Sequence, residues 1–538
     1  MQKRKIAVCL CIVWMVLSSC SSALPDLPNV FRYNESKGIP TLDPAFARTQ
    51  AIINPCLQLY NGLLQLDNEL HVLPCIAHKY AVSPDGLQYT FSLRRDVFFH
   101  DSPAFPKGEG RRVAASDFVY SFYRLKSPSL ASPGSWTLVH MDTCYAVNDS
   151  VLAVKLRRAS PVFLGTLAMP YCFVVPHEAV EYYGAEFSKH PVGTGPFYLK
   201  AWREGEKLVL RRNRRYFEQD SSGARLPYLE AVTTTFVPDK QSEFLEFAKG
   251  KIDYLSGVHA ASRDELLTRS GTLNPKYAGK VQMLQGPYLN TEYVGFLLNN
   301  SEFANKALQN ADVRRAIAYG IDKGKMVKFL RSNLATPAAN GFVPQGLPSF
   351  SSAVKGFEYN PKKAGQLLAK AGYPQGQNLP ELVFSTTDDY LDICEFIQHE
   401  LAALGIKIRI NALSGAAYRQ QVGEGKLSMF RASWIADYPD AESYLSLLYS
   451  KNAPPAGPNY THFCNHEYDK KYMQSLAETS LESRYKLYQS LDSLIVDNVP
   501  VLPLFYDKAA RFVRIGVLGM EPNPMNMLVL KQVRKVNN

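Results

Sequence analysis

Hydrophobic residues recur with two different spacings along this chain. Short apolar runs bounded by polar residues, such as LVLRRN (208–213) and LVFSTTD (382–388), predict strands. The longer runs 313–331 and 361–373 repeat apolar residues every three or four positions, which predicts helices, the second ending at Gly372. Because strands and helices of this kind follow one another, the pattern predicts a mixed α/β fold built in layers.

Proline and glycine interrupt this pattern at HPVGTGPF (190–197) and NAPPAGPNY (452–460), which predicts loops or domain boundaries. The sequence has no internal repeat with a period of roughly 20 to 50 residues, so a repeat architecture is not expected. The chain has 538 residues. A typical domain has roughly 100 to 200 residues, and we therefore expect two or more domains.

The first twenty residues have the pattern of an export signal. A basic head, MQKRK, precedes the apolar run 6–17, which is too short to cross a bilayer core about 30 Å thick, and no later run is long enough. LSSC (17–20) resembles the bacterial lipobox, which implies that residues 1–19 are a lipoprotein signal and that Cys20 is acylated. The alternative is a chance cysteine near an ordinary cleavage site. Several acyl chains on Cys20 would anchor the chain stably to a membrane, on the periplasmic or extracytoplasmic face of the bacterial cell envelope.

The charge of the chain is basic but dispersed. The formal net charge is +11, and loss of Lys3, Arg4 and Lys5 with the signal leaves +8. Only RRNRR (211–215) forms a cluster, which is typical of a solvated strand end or turn. A basic surface suits anionic lipids or acidic ligands as well as nucleic acid. Because the lysines and arginines are spread along the chain, we predict no nucleic-acid partner.

Six cysteines remain once Cys9 and Cys11 leave with the signal and Cys20 is acylated. An exported chain can oxidise them. Six cysteines allow fifteen complete pairings, among which the sequence does not choose. They are Cys56, Cys75, Cys144, Cys172, Cys394 and Cys464.

The motifs of common catalytic and metal sites are missing. The sequence has no GxSxG, no Gly-Lys pair followed by Ser or Thr, and no HExxH. SAVK (352–355) matches a serine-lysine spacing of penicillin-binding enzymes but has no KTG or SDN partner. His462, Cys464 and His466 would give a metal three ligands without a fourth, and a buried or disulfide-bonded loop cysteine is the simpler interpretation. We therefore predict no enzymatic activity, no metal and no cofactor.

The segment RASWIADYPDAESYL (431–445) places a cation, an acid and two aromatic residues around an apolar stretch. Its beginning is predicted as a strand, in which the period of two puts Arg431 and Ser433 on one face, and IADYPD then turns into a helix. On the residues alone, Asp437 or Asp440 could cap that helix. A tryptophan such as Trp434, judged alone, is more often a core residue than a ligand platform, and Arg431 could be a surface residue of the strand.

Seven separated stretches, in the family's order, resemble the extracytoplasmic solute-binding proteins of the peptide, opine and nickel group (family 5), and especially the periplasmic oligopeptide-binding proteins of ABC transporters. Together they cover most of the mature chain. They are LYNGLLQLD (59–67), VSPDGLQYTFSLRRDVFFHD (82–101), ASDFVYSFYRL (115–125), PVGTGPFYLKAWREGEKLVLRRNRRYF (191–217), VRRAIAYGIDKGKMV (313–327), YNPKKAGQLLAKAGYP (359–374) and WIADYPDA (434–441).

The resemblance implies a two-lobed α/β periplasmic-binding-protein fold with a hinge and an extra domain inserted in the first lobe. We expect the first lobe to comprise residues 20–55, 190–285 and 506–538. The inserted domain is then 56–189 and the second lobe 286–505. In this family a ligand that contacts both lobes stabilises the closed state, so the expected mechanism is hinge closure without covalent chemistry.

The resemblance also implies roles for individual residues. The Asp at the position of Asp437 binds the α-ammonium group of a peptide, and the Arg at the position of Arg431 is one of the cations that meet its carboxylate. Trp434 and Tyr438 would line side-chain pockets, with Ser433 on the same strand face as Arg431. The segment beginning with Arg48 and Thr49 would contact the peptide backbone. Family members carry an acidic residue where this chain has Arg48, a departure that favours an acidic ligand.

The expected function is therefore capture of oligopeptides by a lipid-anchored monomer and delivery to an ABC permease and its ATPase. Murein peptides, haem or nickel are alternative ligands on the same fold. An envelope interaction protein, such as an adhesin or chaperone, is the alternative of another class. Peptide length and the choice between inner and outer membrane stay open.

Overall fold

The structure is a computed structural model that describes residues 29–257, 260–298, 301–454 and 457–536. The predicted export signal and Cys20 lie outside the described residues. Within them, none of the helices combines the length and the apolar character needed to cross a bilayer.

The described residues contain nineteen strands. They are β1 (Val30–Asn34), β2 (Leu64–Leu66), β3 (Val72–Pro74), β4 (Ala77–Val82), β5 (Gln88–Leu93), β6 (Met141–Asn148), β7 (Val151–Leu156), β8 (Phe197–Arg203), β9 (Lys207–Arg212), β10 (Ala231–Thr235), β11 (Tyr254–Ser256), β12 (Val281–Phe296), β13 (Ala335–Pro337), β14 (Leu382–Thr387), β15 (Ile408–Leu413), β16 (Met429–Ile435), β17 (Val501–Arg514), β18 (Val517–Leu518) and β19 (Arg534–Lys535).

The same residues contain fifteen α-helices. They are α1 (Gln50–Leu59), α2 (Ala115–Lys126), α3 (Phe163–Leu167), α4 (His177–Tyr183), α5 (Lys240–Ala248), α6 (Ala260–Leu266), α7 (Lys306–Gln309), α8 (Ala311–Gly320), α9 (Lys323–Leu330), α10 (Pro361–Lys370), α11 (Leu391–Ala402), α12 (Gly415–Gly423), α13 (Glu442–Leu445), α14 (His466–Ala477) and α15 (Leu481–Asn498).

Eleven strands form one sheet that runs through both halves of the molecule. Its order is β15, β14, β16, β12, β17, β11, β1, β10, β9, β8, and β13 also pairs with β17. The long strands β12 and β17 are antiparallel partners, and their register is irregular between Pro287 and Thr291. On one side of that irregularity β17 pairs with β11, and on the other β12 pairs with β16. Two continuous strands therefore connect the two halves, as a hinge requires.

Each half of the sheet has its own hydrophobic core. Phe31, Leu210 and Val232 belong to the core of the half that contains β1, β9 and β10. Phe384 and Leu502 belong to that of the half that contains β14 and β16. Separate cores on a shared pair of strands give the two-lobed α/β arrangement that the sequence predicts.

A second, four-stranded antiparallel sheet lies within the segment expected as the inserted domain. Its order is β4, β5, β7, β6. Along β5 the side chains of Tyr89, Phe91 and Leu93 are buried and alternate with more exposed ones, the period of two of a strand with one covered face. Phe118 and Phe122 of α2 are buried in the same core. The exact domain boundaries stay a prediction.

The run 313–331 forms two helices, where the pattern suggested one continuous helical stretch. α8 ends at Gly320, and the Asp322 carboxylate accepts a hydrogen bond of 2.9 Å from the backbone N–H of Lys325 at the start of α9. An N-terminal cap of this kind begins a new helix, which periodicity alone does not reveal. The end of the other helix is as predicted, since Gly372 follows α10 with a φ of +91°.

The glycines of HPVGTGPF allow a close approach between this loop and α1. A Cβ atom on Gly193 would lie 2.0 Å from the carbonyl oxygen of Leu59, and one on Gly195 would lie 2.4 Å from that of Gln58. The segment is therefore a packed junction between the first lobe and α1.

The cysteines left open by the sequence all have free thiols. Five of the six in the described residues are buried, and Cys464 is exposed. Desolvation raises the pKa of the Cys172 and Cys394 thiols to about 12, so these groups stay protonated at neutral pH.

Candidate functional site

The segment 429–445 forms the strand, turn and helix that the sequence predicts, although the helix is short. β16 lies between β14 and β12, with Arg431 opposite Val294 and Ser433 opposite Glu292. The chain leaves the sheet at Ala436, whose backbone N–H donates to the carbonyl of Leu289 over 3.0 Å. The turn that follows lies at the junction between the two lobes, and α13 begins directly after it.

Asp437 has a solvent-accessible carboxylate that makes no hydrogen bond or ion pair with the described part of the chain. Only its backbone N–H is engaged, with Ser443 Oγ at 3.1 Å. The surrounding protein desolvates the carboxyl and raises its pKa above the ordinary value. This acid is therefore unpaired and available for a cation.

Asp440, by contrast, is held by contacts within the protein. Its carboxylate accepts from the backbone N–H of Glu442 at 2.9 Å and pairs with Arg484 at 3.3 Å. The Asp440 carboxylate therefore binds the first residue of α13, whose N-cap is Ala441, and the Asp437 side chain is left uncommitted.

Trp434 and Tyr438 flank Asp437. The indole N–H of Trp434 donates to Ser443 Oγ at 3.3 Å, and its ring packs partly against the second-lobe core. The Tyr438 ring lies 5.5 Å, centroid to centroid, from Trp136 of the inserted segment, and its hydroxyl donates to Glu442. Tyr438 therefore contacts both sides of the cleft.

Arg431 is nearly buried and forms an ion pair with Glu292 of β12. The side chains are 8% and 3% exposed, and the guanidinium also lies over the ring of Tyr390. Burial raises the pKa of Glu292 to about 7, against the opposing effect of Arg431. The charge of Arg431 already has an internal partner, so a role toward a ligand carboxylate stays a prediction. Ser433 is half-buried on the same strand.

Arg48 and Thr49 are both exposed at the start of α1. In the described part of the chain, Arg48 has no salt-bridge partner. Burial raises the pKa of nearby Tyr171 to about 12, an effect that Asp437 increases and Arg48 opposes. A cation of the first lobe and an acid of the second thus both influence the pKa of one tyrosine at the cleft.

Two aromatic residues of this cleft were missed by the sequence reasoning. Trp136 and Tyr171 lie in the inserted segment; Trp136 contacts Tyr438, and Tyr171 lies near Asp437 and Arg48. Neither stands in a motif, so no local sequence signal pointed to them.

One group of candidate metal ligands occurs among the described residues, namely Asp117, His177 and Glu178. Arg111 bonds to both carboxylates, at 2.7 and 2.9 Å to Asp117 and at 2.5 and 2.8 Å to Glu178. Because a guanidinium already satisfies these oxygens, the group is best explained as an ion-pair network.

Two lobes on a pair of continuous strands, with an unpaired acid at their junction, define the class of two-lobed α/β binding proteins. The family model of bacterial extracellular solute-binding proteins, family 5, matches residues 71–455. The chain belongs to this family, whose members bind solutes outside the cell. The predicted two-lobed α/β fold of this family is thereby confirmed.

Individual relatives agree with this assignment. The glutathione-binding protein GsiB of Salmonella choleraesuis (strain SC-B67) is 27% identical over 485 residues, which cover 87% of each chain. The structure of HbpA2 from Haemophilus parasuis is similar with a TM-score of 0.83 and 23% identity, over 95% of this chain and 100% of that one. A second similar structure is DppA of Helicobacter pylori, an ABC transporter-associated periplasmic binding protein in complex with the peptide STSA. Its TM-score is 0.71 and its sequence identity 24%, over 95% of this chain and 98% of that one. The two structures establish the fold.

Proposed function

We propose that this protein captures short peptides outside the membrane and delivers them to an ABC permease with its ATPase. The observation that carries the proposal is the unpaired, partly desolvated carboxylate of Asp437 in the cleft. A peptide is a zwitterion, and its α-ammonium group suits such an acid because a charge-assisted hydrogen bond forms without displacing an internal partner.

The hinge provides the mechanism. β12 and β17 join the lobes, and their register changes between Pro287 and Thr291. A ligand that contacts Asp437 from the second lobe and Arg48 or Thr49 from the first would favour the closed arrangement. The shift in the open–closed equilibrium equals the difference between the ligand's binding free energies for the closed and open states. The bound peptide would then be enclosed, and Trp434, Tyr438 and Trp136 would contact its side chains.

The proposed location follows from the N-terminus. A basic head, a short apolar run and Cys20 in LSSC support export and acylation, which would hold the protein at the envelope as a lipid-anchored monomer beside its permease. Neither a nucleic-acid partner nor catalysis is part of this proposal.

Glutathione-like peptides are a second candidate, favoured by Arg48. A γ-glutamyl group carries its ammonium and its carboxylate on one carbon, so it needs a cation and an acid close together. Asp437 and Arg48 both act on Tyr171, and Arg48 has no salt-bridge partner in the described residues. A curated relative, GsiB, is a glutathione-binding protein.

Isothermal titration of the mature chain with trialanine, N-acetyl-trialanine and glutathione tests both candidates. The proposal predicts that trialanine binds and that acetylation of its amine abolishes binding. The second candidate is selected if the chain prefers glutathione and Arg48→Gln loses that preference. The control Arg203→Gln, at a site remote from the cleft, should keep it. Equal binding of the free and acetylated peptides would contradict both. If only haem or a nickel complex binds, the proposed ligand is wrong, whereas the family assignment still holds.

A further inference from the structure

A cavity of about 550 Å³ lies between the inserted segment and the second lobe. One wall comprises β4, the start of β5 and residues 159–165, and the other comprises residues 438–440 and the start of α15. It shares only Tyr438 with the candidate peptide site. Ligand cavities commonly have volumes of roughly 300 to 1,000 Å³, so this one can hold a small molecule.

The walls of the cavity are mainly aromatic and aliphatic. Tyr80, Tyr89, Tyr438 and Tyr485 contribute aromatic rings, and Leu164 is among the aliphatic residues. Tyrosine rings present large apolar faces whose hydroxyls can stay hydrated, which suits a flat apolar molecule with a polar end.

Arg484 lines the cavity, and one of its hydrogen-bond donors has no partner among the described residues. Its side chain is 8% exposed, and its terminal nitrogens donate to the Pro161 carbonyl at 3.2 Å and to Asp440 at 3.3 Å. Its Nε–H is buried and has no acceptor among the described residues. Since a buried donor without a partner is costly, an acceptor oxygen in the cavity would relieve that cost.

We propose that this cavity is a second binding site, distinct from the peptide site, for a small amphipathic molecule with a flat apolar body and one acceptor oxygen. The apolar body lies among the tyrosine rings, and the oxygen accepts the Nε–H of Arg484. Asp440 already balances the Arg484 charge, so either a carbonyl or a carboxylate oxygen serves. Because the walls belong to different lobes, occupancy stabilises one relative position of the lobes.

The probes are indole-3-propionate and its uncharged amide, titrated calorimetrically into the mature full-length chain. Both carry a flat ring and an acceptor oxygen, and their ratio distinguishes carboxylate from carbonyl recognition. We expect one or both to bind, and Val82→Trp to weaken binding at least tenfold, because Val82 lines the cavity and is 41% exposed. The matched control is Val147→Trp on β6, the opposite edge of the same sheet, where the valine is 56% exposed and away from the cavity.

Asp437→Asn separates this site from the peptide site. We expect that variant to lose peptide binding and to keep the affinity for the probe. Arg484→Met should lower probe affinity, with thermal unfolding measured in parallel because Asp440 loses its partner. The proposal is overturned if neither probe binds at millimolar concentration, if Val82→Trp and Val147→Trp bind equally, or if peptide and probe compete for one site.

Discussion

Replacing Asp437 by Asn removes one negative charge from the cleft and keeps the shape of the side chain. No described residue depends on that carboxylate, because only the backbone N–H of Asp437 is hydrogen-bonded, to Ser443. The change should therefore leave the stability of the protein within about 0.5 kcal/mol, as for a surface substitution. Its effect on peptide binding should be much larger.

The expected loss follows from the charges. Two unit charges about 4 Å apart attract by about 4 kcal/mol at an effective dielectric constant of about 20. The amide oxygen of Asn still accepts a neutral hydrogen bond, which returns about 1 kcal/mol. A net loss of about 2 to 4 kcal/mol corresponds to a roughly 30- to 1,000-fold weaker Kd, at about 1.4 kcal/mol per tenfold change.

The pH dependence has a definite sign. Burial raises the pKa of Asp437 in the empty protein, and the peptide ammonium requires the ionised carboxylate. Affinity should therefore fall as the pH drops below that raised pKa, approaching about 1.4 kcal/mol per pH unit, because the acid must first lose its proton. The Asn variant should lack this dependence.

The assay is a thermodynamic cycle by calorimetry. Trialanine and N-acetyl-trialanine are titrated into the wild type and into Asp437→Asn, and the acetyl group should cost much more affinity in the wild type than in the variant. Asp440→Asn is the matched control, since it removes a neighbouring carboxylate that is already paired. It should reduce stability and leave the peptide Kd within about twofold. An unchanged Kd in Asp437→Asn, or an equal loss in the control, would refute the reasoning.

Three further predictions concern stability and location. Burial raises the pKa of Asp492 to about 7. Between about pH 4 and 7 the folded state therefore binds more protons than the unfolded state. The free energy of unfolding should fall by up to about 4 kcal/mol as the pH rises across that window. Asp492→Asn should remove this slope in chemical denaturation, and an unchanged slope would exclude Asp492 as its source. Gly193→Ala should destabilise by about 1 to 3 kcal/mol or more, because its Cβ would meet the Leu59 carbonyl; an unchanged melting temperature would contradict this. Cys20→Ala should release the chain from membrane pellets, whereas continued sedimentation would argue against acylation.

Local sequence pattern was enough to predict several elements of the fold and site. The strand at 429–435, the turn after it and the end of α10 near Gly372 all depend on residues close in sequence. A helix cap at Asp437 or Asp440 was considered for the same reason, and the Asp440 carboxylate does bind the first residue of α13. The periodicity of apolar residues indicates which face of a strand or helix is buried. Neighbouring residues alone are therefore enough to predict these features.

Contacts between distant segments were beyond the sequence reasoning. The partner of Arg431 is Glu292, which β12 brings opposite Ser433 on β16, and only the pairing register reveals it. Trp136 and Tyr171 reach the cleft through the packing of the inserted segment. The break between α8 and α9 depends on one capping side chain within an otherwise helical run.

Native mass spectrometry of the chain produced without its signal tests the central claim most directly. Gentle denaturation should release short peptides of mixed sequence with free amino termini. The Asp437→Asn variant, purified in the same way, should contain no bound peptide. A chain that carries nothing, or one defined species such as haem or a nickel complex, would contradict the assignment of peptides as its ligands.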